Sequence, residues 1–393
     1  MLDRKCIKNT REDAEANPAG DIYVERTVAK TTVNAANTTG SFNGQGVDDK
    51  GEQKTIAYKI DGWRLTNTNP DSYLVRNVIG TSYLDYCSEG LGDNANKYRF
   101  VGSYPVETKK SLYRYYWALD PNYEKTVALT QLEVSDKMQW NELGDTHPEY
   151  CKENTFTVAY QKHQNTTAVV VKATLDDGKD FYTVNDANEI YKKDDAISFL
   201  KGLYLSRATV KDWFEKNCVV PEGQTTVTFD EEDFDLNTDY NKETGFVTTT
   251  GVKLTEAGTA KVKEGATIPN DEAIFNYINE TKIKKFIGGA AYYVVYVQHF
   301  GDDLTPWNSW EPSTSAPSAS APYPGNAAKN YLGRYGMVRN NWYDISISAI
   351  KKIGSPVVPN LTGDSTPDDE IESYISVRIK VLSWAKRTQS VIL

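Results

Sequence analysis

Side chains suited to chemistry are sparse in this chain and poorly grouped. Its three histidines, His147, His163 and His299, lie far apart, without the H-x-H or H-x-x-x-H spacing that turns two imidazoles toward one metal, and no Ser or Cys sits in a G-x-S-x-G elbow. Each histidine therefore reads as structural. From Asp233 to Asn241 an oxygen-bearing side chain stands at every second residue, as in a calcium loop. That pattern fails twice, because Thr238 replaces the glycine needed at the sixth position and Thr244 the bidentate Glu at the twelfth. A solvated acidic loop is the expectation, with a weak cation site as its alternative. Glycoside hydrolysis needs two carboxylates placed in space rather than in sequence, and nothing selects a pair among the 54 Asp and Glu. Trp307 and Trp310 could stack on a sugar face or pack their own loop onto the domain. The glycines from Gly44 to Gly51 precede neither an apolar helix nor a Lys-Ser/Thr pair, so they form no phosphate loop. The expectation is a non-enzyme, with no catalytic residues, no metal and no cofactor.

The elements that carry these residues are mostly strands. Aromatics make up 12% of the 393 residues, with 26 Tyr against 3 Met, and Thr, Val and Asn are frequent, a composition that favours β structure. A net charge of −10 without a long basic run argues against a nucleic-acid partner. No apolar run is long enough to cross a bilayer as a helix. The cysteines, Cys6, Cys87, Cys151 and Cys218, lack C-x-x-C spacing, so free thiols and a disulfide such as Cys87 with Cys151 both stay open. Residues 1–20 form a polar leader with charges where a signal peptide would be apolar.

Alternating or apolar runs predict strands over 21–33, 55–67, 73–79, 111–119, 127–134, 155–161, 168–175, 181–184, 289–300 and 335–353. Gly62 suggests a bulge within the second of these, and Asp176-Asp177-Gly178 a hairpin between 168–175 and 181–184. The run 289–300 is apolar enough to be buried on both faces. Residues 34–54 read as a loop. Helical spacing predicts helices over 206–217, behind a Ser206 cap, and 270–286, with Lys282, Lys284 and Lys285 in its last turn. Residues 186–287 are therefore expected to form a mixed insertion with helices. At the far end Ile375, Val377, Ile379 and Val381 alternate with Ser376, Arg378 and Lys380 along one more half-buried strand, and Val391-Ile392-Leu393 adds an apolar stretch that needs cover.

Several stretches, in order, resemble the fimbrillins of Bacteroidales bacteria, the subunits of type V pili. The clearest is Tyr335-Gly-Met-Val-Arg-Asn-Asn-Trp-Tyr343, followed by the strand 344–350 and Gly354-Ser355-Pro356. YVERTVAK (23–30), YKIDGWRLTNTNPDSYLVRN (58–77), ENTF (153–156) and QNTTAVVVKA (164–173) agree with it, and SWAKRTQSVIL (383–393) is similar to the W-x-x-R-x-Q-x-V-x-L ending of shaft-forming members. The resemblance implies an all-β fold, a transthyretin-like β-sandwich, here with the mixed helical insertion. It also implies a subunit of a cell-surface fimbrium, extracellular and associated with the outer membrane, that polymerises with neighbouring subunits by donor-strand exchange. Such fimbriae support adhesion to host or bacterial surface receptors and biofilm formation. In the family an Arg-specific protease removes an N-terminal strand, and a neighbour's C-terminal segment fills the vacated groove by β-augmentation.

On that basis residues 21–371 are expected to be the fimbrillin C-terminal sandwich domain and 372–393 the donor segment. Ile375, Val377, Ile379, Val381, Trp384, Val391 and Leu393 are its expected plugs or their base. A fimbrillin carries a complete N-terminal domain ahead of the position of Tyr23, so residues 1–20 are expected to be the remnant of a missing one; neither Arg4 nor Arg11 marks a cleavage strand. The rival expectation is a surface glycan-binding or glycan-degrading sandwich built around Trp307 and Trp310.

Overall fold

The structure, a computed structural model, describes residues 9–16, 26–47, 52–74, 118–123, 129–135, 138–220, 223, 225–299, 335–368 and 375–383. A short helix, α1 (Arg11–Ala16), lies within the leader. The strands, in chain order, are β1 (Val28–Ala35), β2 (Thr39–Val47), β3 (Gln53–Thr66), β4 (Glu149–Lys152), β5 (Ala168–Leu175), β6 (Phe181–Val184), β7 (Phe234–Tyr240), β8 (Phe246–Leu254), β9 (Ile283–Phe286), β10 (Ala290–Tyr296), β11 (Asn341–Ile350) and β12 (Ile375–Ser383). Between β6 and β9 lie the helices α2 (Lys193–Ser206), α3 (Ala208–Asn217), α4 (Glu256–Ala260) and α5 (Glu272–Asn279). The fold is all-β and sandwich-like, with a helical insertion.

Two four-stranded sheets, β12-β11-β1-β4 and β10-β5-β3-β2, face each other. Their inner residues join one core, with Val33, Trp63, Val171, Tyr293 and Ile345 among those essentially removed from solvent. Strand β3 carries period-two alternation up to Ile60, then shifts register between Ile60 and Gly62, so that Trp63 and Leu65 regain the core face. The bulge expected at Gly62 is there. Trp63 is fully buried, and its Nε1–H donates to the Glu142 carbonyl at 3.1 Å. Strand β1 pairs in parallel with β11 and antiparallel with β4, so the stretches YVERTVAK and YGMVRNNWY meet side by side, with Lys30 opposite Trp342.

The third sheet, β6-β9-β8-β7, forms a module with its own core, where Phe234, Val252 and Ile283 meet Leu200, Tyr204, Ile274 and Ile278 from the helices. Contacts joining sandwich and module include the Gln45 amide, which donates to the Asn188 carbonyl at 2.7 Å, and the Lys54–Glu189 ion pair at 3.0 Å. The chain passes between the two at β6 and β9. There Phe181 of β6 and Phe286 of β9 stack with centroids 4.4 Å apart, and both belong to the sandwich core. Beside them Gly289, at φ +65°, lies so near the Leu175 carbonyl that an added Cβ would stand 2.2 Å from that oxygen. Only glycine fits both constraints.

Several expectations change. Residues 168–175 and 181–184 are no hairpin: the turn at Asp176–Gly178 carries the chain out of the sandwich, and β6 pairs with β9. Helix α5 stops at Asn279, and Ile283–Phe286 is a strand because β6 and β8 bind it from both sides; the Lys residues thus belong to a strand and not to a helix end. Ser206 closes α2 instead of capping α3. Residues 39–47, almost without apolar side chains, are β2, held by pairing with β3. Residues 155–161 turn into a 3-10 helix at Val158–Tyr160. Of the strand expected at 127–134, a single bridge, Thr68 with Thr130, is present among the described residues. The strand buried on both faces is β5, between β3 and β10, whereas β10 is a sheet edge. Cys151 is buried and free, so it is not joined to Cys87. The strands expected at 75–79 and 111–117 lie outside the described residues.

Candidate assembly site

Four of the seven expected donor positions, Ile375, Val377, Ile379 and Val381, lie on β12. The strand is an edge of its own sheet, antiparallel to β11, with Ile379 opposite Ile345 and Val377 opposite Ile347. Val377 and Ile379 are half-buried and pack against the sandwich core, so the apolar side of the alternation faces inward. Trp384, Val391 and Leu393 lie outside the described residues, as do Trp307 and Trp310.

Next to β12 the sandwich is open. A cavity of about 690 Å3 lies between β12, which contributes Val377 and Ile379, and β10, the edge of the facing sheet, with Ile353 and Leu361 lining it from the intervening chain and Thr183, Ala187, Lys284 and Phe286 from the side of the third sheet. All five residues from Tyr292 to Tyr296 line it. Successive side chains of a strand point to opposite faces, so a consecutive run borders a cavity only when the strand presents its edge. Tyr292 exchanges both backbone hydrogen bonds with Ser355, at 2.8 and 2.9 Å. By the alternation of an antiparallel ladder, Val294 and Tyr296 then also direct their N–H and C=O groups away from β5. Among the described residues these two have no partner for those groups.

At one wall, His163 Nδ1 lies 3.0 Å from Asp364 Oδ2, and its ring stacks on Tyr296 with centroids 4.1 Å apart. Burial pushes the Asp364 carboxyl up, but hydrogen bonds from the Thr366 hydroxyl and amide and from His163 outweigh it and hold the group below the ordinary carboxylate range. His299 is buried with Nδ1 2.7 Å from the Tyr343 hydroxyl, which accepts the Val338 amide at 2.7 Å. His147 is exposed, 3.6 Å from Glu142. The histidines thus serve three separate places in the fold.

The acidic run beginning at Asp233 is not a loop. Residues 234–240 are β7, so Asp235, Asn237 and Asp239 are spaced along a strand at intervals of ~6–7 Å, too far apart to converge on one ion. Asp233 is fully buried, 2.8 Å from Lys261 Nζ, and accepts the Asp230 amide at 2.8 Å, which closes a capping box. Gly44, within β2, lies over Ile56 of β3.

A buried polar cluster at Glu153 and Arg339 belongs to no catalytic or metal-binding motif in the sequence. The two side chains, 0% and 1% exposed, form an ion pair, and Arg339 also donates to the carbonyls of Tyr73 and Leu74. Both residues occur in stretches that resemble fimbrillins, ENTF and YGMVRNNWY; a charged residue amid aromatic and apolar neighbours is the signal that could have marked them. Next to Glu153, buried Asp120 accepts the amides of Thr155 and Asn122, each at 2.7 Å. Burial pushes the Asp120 carboxyl up to about 7, with Glu153 adding to the rise and the hydrogen bonds opposing it.

Residues 321–390 match the family described as major fimbrial subunit protein type IV, fimbrillin, C-terminal. No curated protein matches the chain. The matched stretch, which holds β11, β12 and the cavity wall at Ile353 and Leu361, is similar to a fimbrillin C-terminal region.

Proposed function

We propose that the chain is a structural subunit of a surface fimbria, that it polymerises by donating residues 384–393 to a neighbouring subunit, and that the resulting filament serves adhesion and biofilm formation at the outer membrane. The fimbrillin match over 321–390 carries this reading, because it covers both β12 and most of the segment beyond it. The pairing of β12 with β11 supports a division of labour. Residues 375–383 are the base, anchored in the subunit's own sheet, and Trp384, Val391 and Leu393 are the plugs. An added strand draws its affinity from backbone hydrogen bonds and its specificity from the pockets that take alternate side chains. The family is structural, and a filament subunit needs no catalytic group. Electron microscopy of surface filaments from cells carrying the full gene, with and without residues 385–393, tests the reading. Loss of filaments in the shortened form is expected, and normal filaments would refute it.

A further inference from the structure

We propose that a cleft on the outward face of the sheet β10-β5-β3-β2, built around Trp140, Tyr292, Lys172 and Asp61, binds a pyranose unit of a surface glycan. The inference rests on the adhesion part of the reading above and names its ligand class and its site.

One register row across three strands makes the floor. Gly62 of β3 pairs with Lys172 of β5, and Lys172 with Tyr292 of β10. The next residues toward the core, Trp63, Val171 and Tyr293, belong to the sandwich interior, so Lys172 and Tyr292 face outward. At Gly62 the row has no side chain, and the segment that carries Trp140 crosses there. A Cβ on Gly62 would stand 2.6 Å from the Asn141 carbonyl oxygen and 2.8 Å from the Trp140 Cβ, so glycine is what admits this close approach. Asn141 exchanges both backbone hydrogen bonds with Trp63, each at 3.1 Å, and Arg64 donates to the Gln139 carbonyl at 3.0 Å. The segment is thus fixed on both sides of Trp140.

The Trp140 ring meets Tyr292 with centroids 5.8 Å apart, and Lys172 Nζ lies 5.9 Å from its centre. Asp61, beside Gly62 at the bulge, accepts the Thr174 hydroxyl at 2.6 Å through one carboxylate oxygen. Burial raises the Tyr292 hydroxyl above its ordinary range, and Asp61 and, from the module, Tyr240 of β7 add to the rise, so both stand close to it. Tyr240 brings the module to the rim of the cleft.

The polar groups here are left open. Trp63 and Trp342 place their indole N–H groups on the Glu142 carbonyl at 3.1 Å and the Thr32 hydroxyl at 2.8 Å. Among the described residues the Trp140 indole N–H, the Tyr292 hydroxyl and the Lys172 ammonium have no hydrogen-bond or carboxylate partner, and all three side chains are half-buried. Two groups that only donate, one hydroxyl and one carboxylate therefore surround an aromatic face. A sugar matches this set, because its hydroxyls both donate and accept and the C–H face of its ring lies against an aromatic ring. An apolar ligand would desolvate these groups without pairing them. A phosphate would meet the Asp61 carboxylate. An added peptide strand finds no free backbone, since β5 is bonded on both sides and Ser355 closes Tyr292.

The purified full chain applied to an array of defined neutral and acidic oligosaccharides, with titration calorimetry of the tightest-bound one, tests the proposal. We expect binding that Trp140→Ala weakens by about tenfold or more and Asp61→Asn by about fivefold. Tyr292→Phe keeps the ring and removes only the hydroxyl, so it should lose about threefold. Trp342→Ala, on the outward face of the other sheet, should bind as the unaltered chain does. Urea midpoints identify the variants that fold. Absence of binding to every arrayed glycan would overturn the site, as would unchanged binding by the folded Trp140, Asp61 and Tyr292 variants or an equal loss in Trp342→Ala. Filaments that need residues 385–393 while the chain binds no glycan would sink this site and leave the polymerisation reading standing. Filaments formed without residues 385–393, from a chain whose glycan binding depends on Trp140 and Asp61, would sink polymerisation by that segment and support the site.

Discussion

In the sandwich, β1 finds its partners in β4 and in β11, contributed by remote stretches of the chain, whereas in the inserted module β7 and β8 form a hairpin and β6 and β9 close the sheet beside it. The first assembly is non-local and leaves two edges, β10 and β12, beside an open cavity. The second carries its own core and meets the sandwich at the stacked Phe181 and Phe286, at Asn188 and Glu189, and along one wall of that cavity. The contrast is one of cohesion: the sandwich is held by pairings between remote segments, and the module by its own core. Interactions that tie remote segments of the sandwich should therefore matter most.

The largest expected effect is at Arg339. Removing it leaves the fully buried Glu153 carboxylate without its charge partner and frees the carbonyls of Tyr73 and Leu74. Arg339→Ala should cost about 3–5 kcal/mol, the range for breaking one side of a buried ion pair. Replacing both residues, as Glu153→Gln with Arg339→Met, should recover much of that loss because neither charge of the pair is then left buried alone. Urea unfolding of the single and double variants checks this, and equal losses would show that the pair's charge is not what matters.

Asp120 gives the same region a pH dependence. Its carboxyl is raised to about 7 in the fold, against an unfolded value near 3.8. Below pH 4 it is neutral in both states and carries no penalty. Between pH 4 and 7 the unfolded chain releases the proton first, so stability falls by about 1.4 kcal/mol per pH unit, roughly 4 kcal/mol in all, and levels off above pH 7. Asp120→Asn should flatten this part of the profile, measured as urea midpoints from pH 4 to 8. Parallel profiles for the two proteins would show that Asp120 does not titrate in this window.

Ile278 probes the other side of the comparison. It is fully buried between α5 and the third sheet, and Ile278→Ala should remove about 2–4 kcal/mol by leaving a cavity. If the module packs separately, hydrogen exchange should rise in α2, α5 and β8 while β3, β5 and β11 keep their protection. A uniform rise across both regions would merge them into one cooperative unit.

How far the sequence reveals this arrangement depends on where each element gets its cohesion. Strand β3 is readable because Ile56, Tyr58 and Ile60 alternate and Gly62 marks the bulge; the inward face of β12 is readable for the same reason. Strand β2 is not, since TGSFNGQGV has little apolar pattern and owes its conformation to β3. At 270–286 the helical spacing ends with Ile278, and Lys282, Lys284 and Lys285 ahead of Gly288-Gly289 imitate a helix end; pairing with β6 and β8 makes Ile283–Phe286 a strand. The cavity obeys the same rule. Tyr292–Tyr296, Ile353, Leu361 and Val377 come together only when two sheet edges from different parts of the chain stand side by side, and no local pattern encodes that meeting.

The smallest effect concerns the start of α5, where sequence and fold agree on a helix but the cap identifies its beginning. Asp271 has extended backbone, and its carboxylate accepts the Ile274 amide at 3.0 Å, satisfying one of the free donors of the first turn. Asp271→Ala should cost about 1 kcal/mol, the usual value for a lost N-cap. Because α5 packs into the module core among the described residues, the loss should appear as faster exchange in α5 and its neighbours, with filament yield unchanged. Thr255, whose hydroxyl accepts the Gly258 amide at 3.1 Å at the start of α4, offers a matched control in the same module. If Asp271→Ala and Thr255→Ala both lowered filament yield, the module would be coupled to the sandwich across the contacts at Phe181, Phe286, Asn188 and Glu189, and the contrast between two separately held bodies would not hold.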